Sequence, residues 1–179
     1  MLQKSNILSI ANVFFSEPTK EHYLKEISEK TGIAHTSVKN YLSKLKKESL
    51  INEIIIKRGQ RKFPTYTSRV NSEEYIKNKK STNLIKLQES GLIEYLNDKL
   101  MPKCIVLFGS YQKGEDLEES DIDVFIECKK EDIDLSKFAK KLKRNIQLHF
   151  KDNFKDYPIE LKNNIINGTT LAGYLEAFK

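Results

Sequence analysis

Residues 107–127 read LFGSYQKGEDLEESDIDVFIE. The chain enters this stretch through Cys104–Phe108, an unbroken apolar run that meets Gly109-Ser110, which suits a buried strand opening into a ligand loop. A glycine there lets the backbone approach a ligand closely, and a serine adds a hydroxyl donor. After a polar, acidic loop the chain returns as SDIDVFIE, with Asp121 and Asp123 on one side of an alternating strand and Ile122 and Val124 on the other. Carboxylates two residues apart lie roughly 6–7 Å apart along a strand and repel unless a cation sits between them. Mg²⁺ takes one or two carboxylates together with phosphate oxygens, so a nucleoside triphosphate against Gly109-Ser110 would complete its shell.

Gly109-Ser110, ten intervening residues and Asp121-x-Asp123 resemble the signature of the polymerase-β-type nucleotidyltransferase superfamily. The minimal nucleotidyltransferase branch is the nearest match, over about 20 contiguous residues that include Lys113-Gly114 and Ser120. The resemblance implies a small mixed β-sheet flanked by helices. It also implies that Gly109, Ser110 and Ser120 belong to the nucleotide-binding set, with Lys113 either on a phosphate or solvated. Asp121 and Asp123 would bind Mg²⁺ or Mn²⁺, ATP would be the expected nucleotide, and a hydroxyl would attack the α-phosphate with pyrophosphate leaving.

Active members of that family carry a third carboxylate on a later strand. After the amphipathic segment DIDLSKFAKKLKRN the next strand here is IQLHF, whose polar positions are Gln147 and His149. Glutamine is a poor ligand for a hard cation and no base, whereas a histidine can take a proton near neutral pH. His149 is therefore the third candidate catalytic residue; Asp152 lies just past the strand, in a direction that argues against it. Two readings stay open: an enzyme with a substituted third position, and a nucleotide-sensing regulator or antitoxin that has lost transfer.

The basic excess lies elsewhere. Of a net charge of +6, residues 1–80 hold 16 Lys/Arg against 8 Asp/Glu, and residues 81–179 hold 15 against 17. A basic segment attracts phosphate backbones, which makes nucleic acid a candidate partner of the first part of the chain. Ile7, Leu8, Ile10, Ala11, Phe14 and Phe15 recur at helical spacing, Tyr23, Leu24 and Ile27 mark a second helix ending near Gly32, and Val38, Tyr41, Leu42 and Leu45 line a third. The third helix carries His35, Ser37, Lys39, Asn40, Ser43, Lys44 and Lys47 on its other side. INEIIIKRGQRKFPTYTSR then reads as a hairpin with Lys57, Arg58, Arg61 and Lys62 at its tip. Over about 65 residues this resembles a winged helix-turn-helix domain. The resemblance implies DNA contacts from those polar and cationic side chains, or protein contacts in their place.

A helical connector, Asn71–Leu100, follows, broken at Gly91. The expected fold is α+β: an N-terminal winged helix-turn-helix over about 1–70, and a nucleotidyltransferase domain with a small mixed β-sheet over about 71–179. The C-terminal stretch from Tyr157 has a Pro-started helix and a short β-like run, TTLAGYL, and resembles the ending of archaeal winged-helix nucleotidyltransferases. No run of about 18 apolar residues exists and the N-terminal segment lacks a small-residue cleavage site, so a cytoplasmic protein without membrane partner is expected. Cys104 and Cys128 fit buried reduced thiols. The family resemblance adds a HEPN-type toxin as a possible acceptor protein, and a winged helix reading a two-fold site adds a homodimer.

Overall fold

The computed structural model describes residues 5–58, 61–154 and 157–177, with the side chains of Arg58, Arg61 and Lys62 outside the description. Three of the four residues expected at the hairpin tip therefore lie outside the described side chains. Two compact units are present, Met1–Lys79 and Lys80–Lys179.

In the first unit, α1 (Asn6–Ser16) starts at Ser5, whose hydroxyl accepts the Leu8 N–H at 3.3 Å. It buries Ile10, Ala11, Phe14 and Phe15, the face its apolar spacing marks out. A two-residue strand β1 (His22–Tyr23) precedes α2 (Leu24–Thr31), which stops at Gly32 in the left-handed region, φ +70°. Tyr23 thus belongs to a strand, not to the second helix, because His22 and Tyr23 pair with Tyr66 and Thr65 far along the chain. Helix α3 (His35–Lys47) buries Val38, Leu42 and Leu45 and ends in Lys44, Lys46 and Lys47, cations that suit the partial negative charge of a helix C-terminus. Strands β2 (Ile51–Arg58) and β3 (Arg61–Ser68) complete an antiparallel sheet of order β1-β3-β2. Tyr75 closes this core, its buried hydroxyl donating to the Phe14 carbonyl at 2.9 Å.

One polar cluster ties the start of this unit together. Glu17 and Glu26 flank buried His22, 3.7 Å from Nε2 and 3.5 Å from Nδ1. Lys30 bonds both carboxylates and Lys20 bonds Glu26, so two acids meet two ammonium groups. Desolvation pushes the Glu26 carboxyl up, but hydrogen bonds from Lys20 and Lys30 and the nearby positive charge outweigh it and hold the group at about 2.

Helix α4 (Glu73–Ser90) is capped by Ser72, whose hydroxyl accepts the Tyr75 N–H at 3.1 Å, and Gly91 separates it from α5 (Leu92–Leu100). The second unit continues with β4 (Cys104–Phe108), α6 (Gly109–Lys113), β5 (Ile122–Glu127), α7 (Ser136–Leu142), β6 (Ile146–Lys151), α8 (Ile159–Ile166) and β7 (Thr169–Gly173). The sheet order is β6-β5-β4-β7, with β5 and β6 parallel and the other pairs antiparallel. It is the small mixed sheet that the resemblance implied.

Every residue of β4 is buried, as befits a strand covered on both faces. Ile105, Leu107, Ile122, Val124 and Ile126 pack with Leu87, Leu92, Leu96 and Phe138 on one face. Cys104, Val106, Phe108 and Phe125 pack with Phe154 and Ile165 on the other. Among the described residues no helix is long and apolar enough to cross a membrane.

Candidate functional site

The site grows from the junction of β4 and α6. Gly109 has φ +78°, a conformation that costs any L side chain roughly 1–2 kcal/mol. A Cβ built there would lie 2.4 Å from Asp123 Oδ2. Both the backbone angle and the space therefore demand glycine, and the reason is that the main chain rests on the Asp123 carboxylate. Two features twelve or more residues apart in the sequence meet through the β4–β5 pairing, in which Phe108 lies opposite Asp123.

Asp123 follows the expected alternation between Ile122 and Val124, which are buried on the helix-covered side; Asp121 lies just before the strand, and both aspartates are half-buried. Parallel register sets Asp123 beside Gln147 and Phe125 beside His149, so Asp123 and His149 are diagonal neighbours on one face. His149 Nε2 stands 3.0 Å from Asp123 Oδ1. An ionised carboxylate only accepts, so the hydrogen of that pair belongs to Nε2 whenever Asp123 carries its charge. The ring is also held edge-on against Phe108, with centroids 5.0 Å apart. Gln147 is exposed.

Among the described residues, the one group of three or more metal-binding side chains gathered within 4.8 Å is Glu17, His22 and Glu26 in the first unit. No third acid among them closes on Asp121 and Asp123. The donor chemistry suits a divalent cation: Asp121, just before β5, and Asp123, within it, carry hard oxygen donors, and the Asp123 carboxylate lies beside a backbone held close because residue 109 lacks a Cβ.

The other nucleotide-binding candidates divide. Ser110 is half-buried at the start of α6, where main-chain N–H groups have no partner within the helix. Lys113 is exposed. Ser120 accepts the Leu117 N–H at 2.9 Å, closing the turn that delivers Asp121. The structure therefore gives Ser120 a loop-shaping contact.

A buried network that sequence spacing does not reveal anchors this loop. Asp116, 1% exposed, accepts from Asn83 Nδ2 at 2.7 Å, and the same amide donates to the Tyr111 carbonyl at 3.0 Å. Arg144 Nη2 lies 3.6 Å from Asp116 Oδ2, and the Tyr111 hydroxyl donates to the Asn83 carbonyl at 3.4 Å. Burial, then the Asp116 charge, pushes the Tyr111 phenol well above its ordinary range. Helix α4, the loop and the turn between α7 and β6 are thereby fastened around Gly109–Asp121.

On α3 in the first unit, His35, Lys39, Asn40, Ser43, Lys44 and Lys47 are exposed and Ser37 is half-buried. On the hairpin, Lys57 is exposed.

Residues 90–174 match the protein-family model described as polymerase beta, nucleotidyltransferase. A 32-residue segment, 18% of this chain, is 59% identical to a protein of Methanocaldococcus jannaschii that is provisionally named a protein adenylyltransferase. The matched segment spans 32% of that relative, about a third of its length. No solved structure matches the chain.

Proposed function

We propose, from the premise that residues 90–174 are a polymerase beta nucleotidyltransferase domain, that this chain binds ATP with Mg²⁺ or Mn²⁺ and transfers its nucleotide to a hydroxyl. The observation that carries the reading is the Gly109 main chain seated against the Asp123 carboxylate, which brings the Gly109-Ser110 backbone next to an acidic side chain of the Asp121-x-Asp123 pair. The relative's name, protein adenylyltransferase, favours ATP as donor and a protein as acceptor; the family resemblance adds a HEPN-type toxin as a candidate acceptor.

The residues divide the work. Asp121 and Asp123 hold the cation, which when bound neutralises phosphate charge and steadies the attacking and leaving oxygens. Gly109 and Ser110 offer main-chain N–H groups and a hydroxyl to the triphosphate. The new bond joins the acceptor oxygen to the α-phosphorus, the bond to the bridging oxygen breaks, and pyrophosphate carries the electron pair away. His149 Nε2 holds Asp123 in place, and Nδ1 is the ring nitrogen that can take the acceptor's proton.

A second reading has its own support: Gln147 lies beside Asp123 and no third acid closes the site among the described residues, which favours nucleotide binding without transfer. Incubation with Mg²⁺, α-labelled ATP and candidate acceptors separates the two. Label transfer that disappears in Asp121→Ala/Asp123→Ala supports the enzyme; binding without transfer under every condition refutes it.

For the first unit we propose DNA binding. The order helix, strand, two helices, two strands and the exposed polar face of α3 support a winged helix-turn-helix, with α3 as the reading helix and the hairpin as the wing. Affinity for duplex DNA should fall steeply with salt, and Lys39→Ala and Lys44→Ala should flatten that slope by about one unit each. An unchanged slope refutes the assignment.

A further inference from the structure

β2 is the open edge of its sheet. It pairs with β3 along one side from Ile51 to Arg58, so alternate residues on its other side present N–H and C=O groups away from the sheet. Soluble proteins usually guard such an edge with charge, proline or a bulge. Here the pairing to β3 runs without a register shift, the proline is Pro64 on β3, and the centre of β2 is Ile54-Ile55-Ile56. Ile55 is 62% exposed and Ile54 44%, with Phe63 of β3 exposed beside them. Glu53 on one flank and Lys57 on the other make the five-residue centre chemically palindromic: acid, three isoleucines, base.

We propose that this edge pairs antiparallel with β2 of a second copy of the chain, the two-fold axis passing beside Ile55. That register sets Ile55 against Ile55, Ile54 against Ile56, and Glu53 against Lys57 of the second copy, twice over. Glu53, Ile55 and Lys57 share one face, so both ion pairs flank the central apolar contact. Centring on Ile54 sets Glu53 against Ile55 and Lys57 against Ile51, centring on Ile56 sets Lys57 against Ile55, and an in-register parallel pairing sets Glu53 against Glu53. One register alone matches the charges, and its contact closes at a dimer. Lys46 Nζ and the Tyr66 hydroxyl already donate to Glu53, at 2.5 and 3.3 Å, which orients the carboxylate and leaves it able to accept further hydrogen bonds.

Analytical ultracentrifugation of the full chain tests this. The unaltered chain should sediment as a concentration-dependent dimer. Ile55→Lys, at an exposed position the fold does not need, should weaken association by roughly tenfold or more. Glu53→Lys and Lys57→Glu each set like charges opposite one another and should be monomeric alone. Mixed in equal amounts, those two chains should pair, since each then meets its opposite. Far-UV circular dichroism checks folding, and if Glu53→Lys unfolds through loss of the Lys46 contact, Ile55→Lys and Lys57→Glu carry the test. A monomer at every concentration, a dimer that Ile55→Lys and Lys57→Glu leave intact, or two folded reversed chains that fail to pair when mixed would each overturn the proposal.

Discussion

Replacing Gly109 with alanine probes the cradle at its tightest point. The new methyl would begin 2.4 Å from Asp123 Oδ2, whereas ordinary contact starts near 3.4 Å, so something must give by the difference, 1.0 Å. The methyl is fixed to the main chain of β4–α6, which leaves the carboxylate to move. A shift of about 1 Å in a positioned group costs on the order of a hundredfold in rate. Backbone strain at φ +78° adds roughly 1–2 kcal/mol to the cost in stability. Gly91→Ala is the control, since Gly91 has φ +79° but no atom within 4 Å of its Cβ position. Both variants should lose stability by similar strain in a thermal melt, while Gly109→Ala alone loses Mg²⁺-dependent ATP binding and label transfer. If Gly109→Ala binds ATP as the unaltered chain does, the carboxylate is not held where the argument needs it.

Other substitutions and conditions test other parts. Asp116→Ala removes a buried acceptor from the Asn83 amide and the carboxylate beside the Arg144 guanidinium, and should cost about 1–3 kcal/mol, read as a lowered denaturation midpoint. The Glu26 carboxyl, held at about 2 in the fold against an ordinary 4.5, contributes stability that is whole above about pH 4.5 and is lost as pH falls towards 2. With a side chain 26% exposed, that contribution is on the order of 1–2 kcal/mol after screening, and Glu26→Gln should flatten the acid limb of stability against pH. Burial, then the Glu127 charge, pushes the Cys104 thiol up to about 12, so it should resist disulfide reagents at pH 8 until the protein unfolds, whereas half-buried Cys128 reacts first.

What was legible in the sequence was what depends on local pattern. The Gly109-Ser110 and Asp121-x-Asp123 spacing, the break at Gly91 and the buried faces of α1 and α3 follow from alternation, helical period and glycine. Contacts made by tertiary pairing left no such trace. Tyr23 carries no strand signal because β1 exists only through its pairing with β3. Asn83, Asp116 and Arg144 are separated by 33 and 28 residues, and Asp116 looks like any other acid in an acidic loop until its burial is known. Likewise, the sequence offers both Gln147 and His149 as polar positions of β6, but only the parallel register of β6 shows which of them reaches Asp123.

The proposed metal-nucleotide site joins Asp121, Asp123 and the Gly109 backbone. Isothermal titration of ATP into the full chain, with and without Mg²⁺, tests it against Asp121→Asn and Asp123→Asn. Binding should require Mg²⁺ and be abolished by either substitution, in protein that remains folded. ATP binding that is equally tight without the metal, or that survives both substitutions, would contradict it.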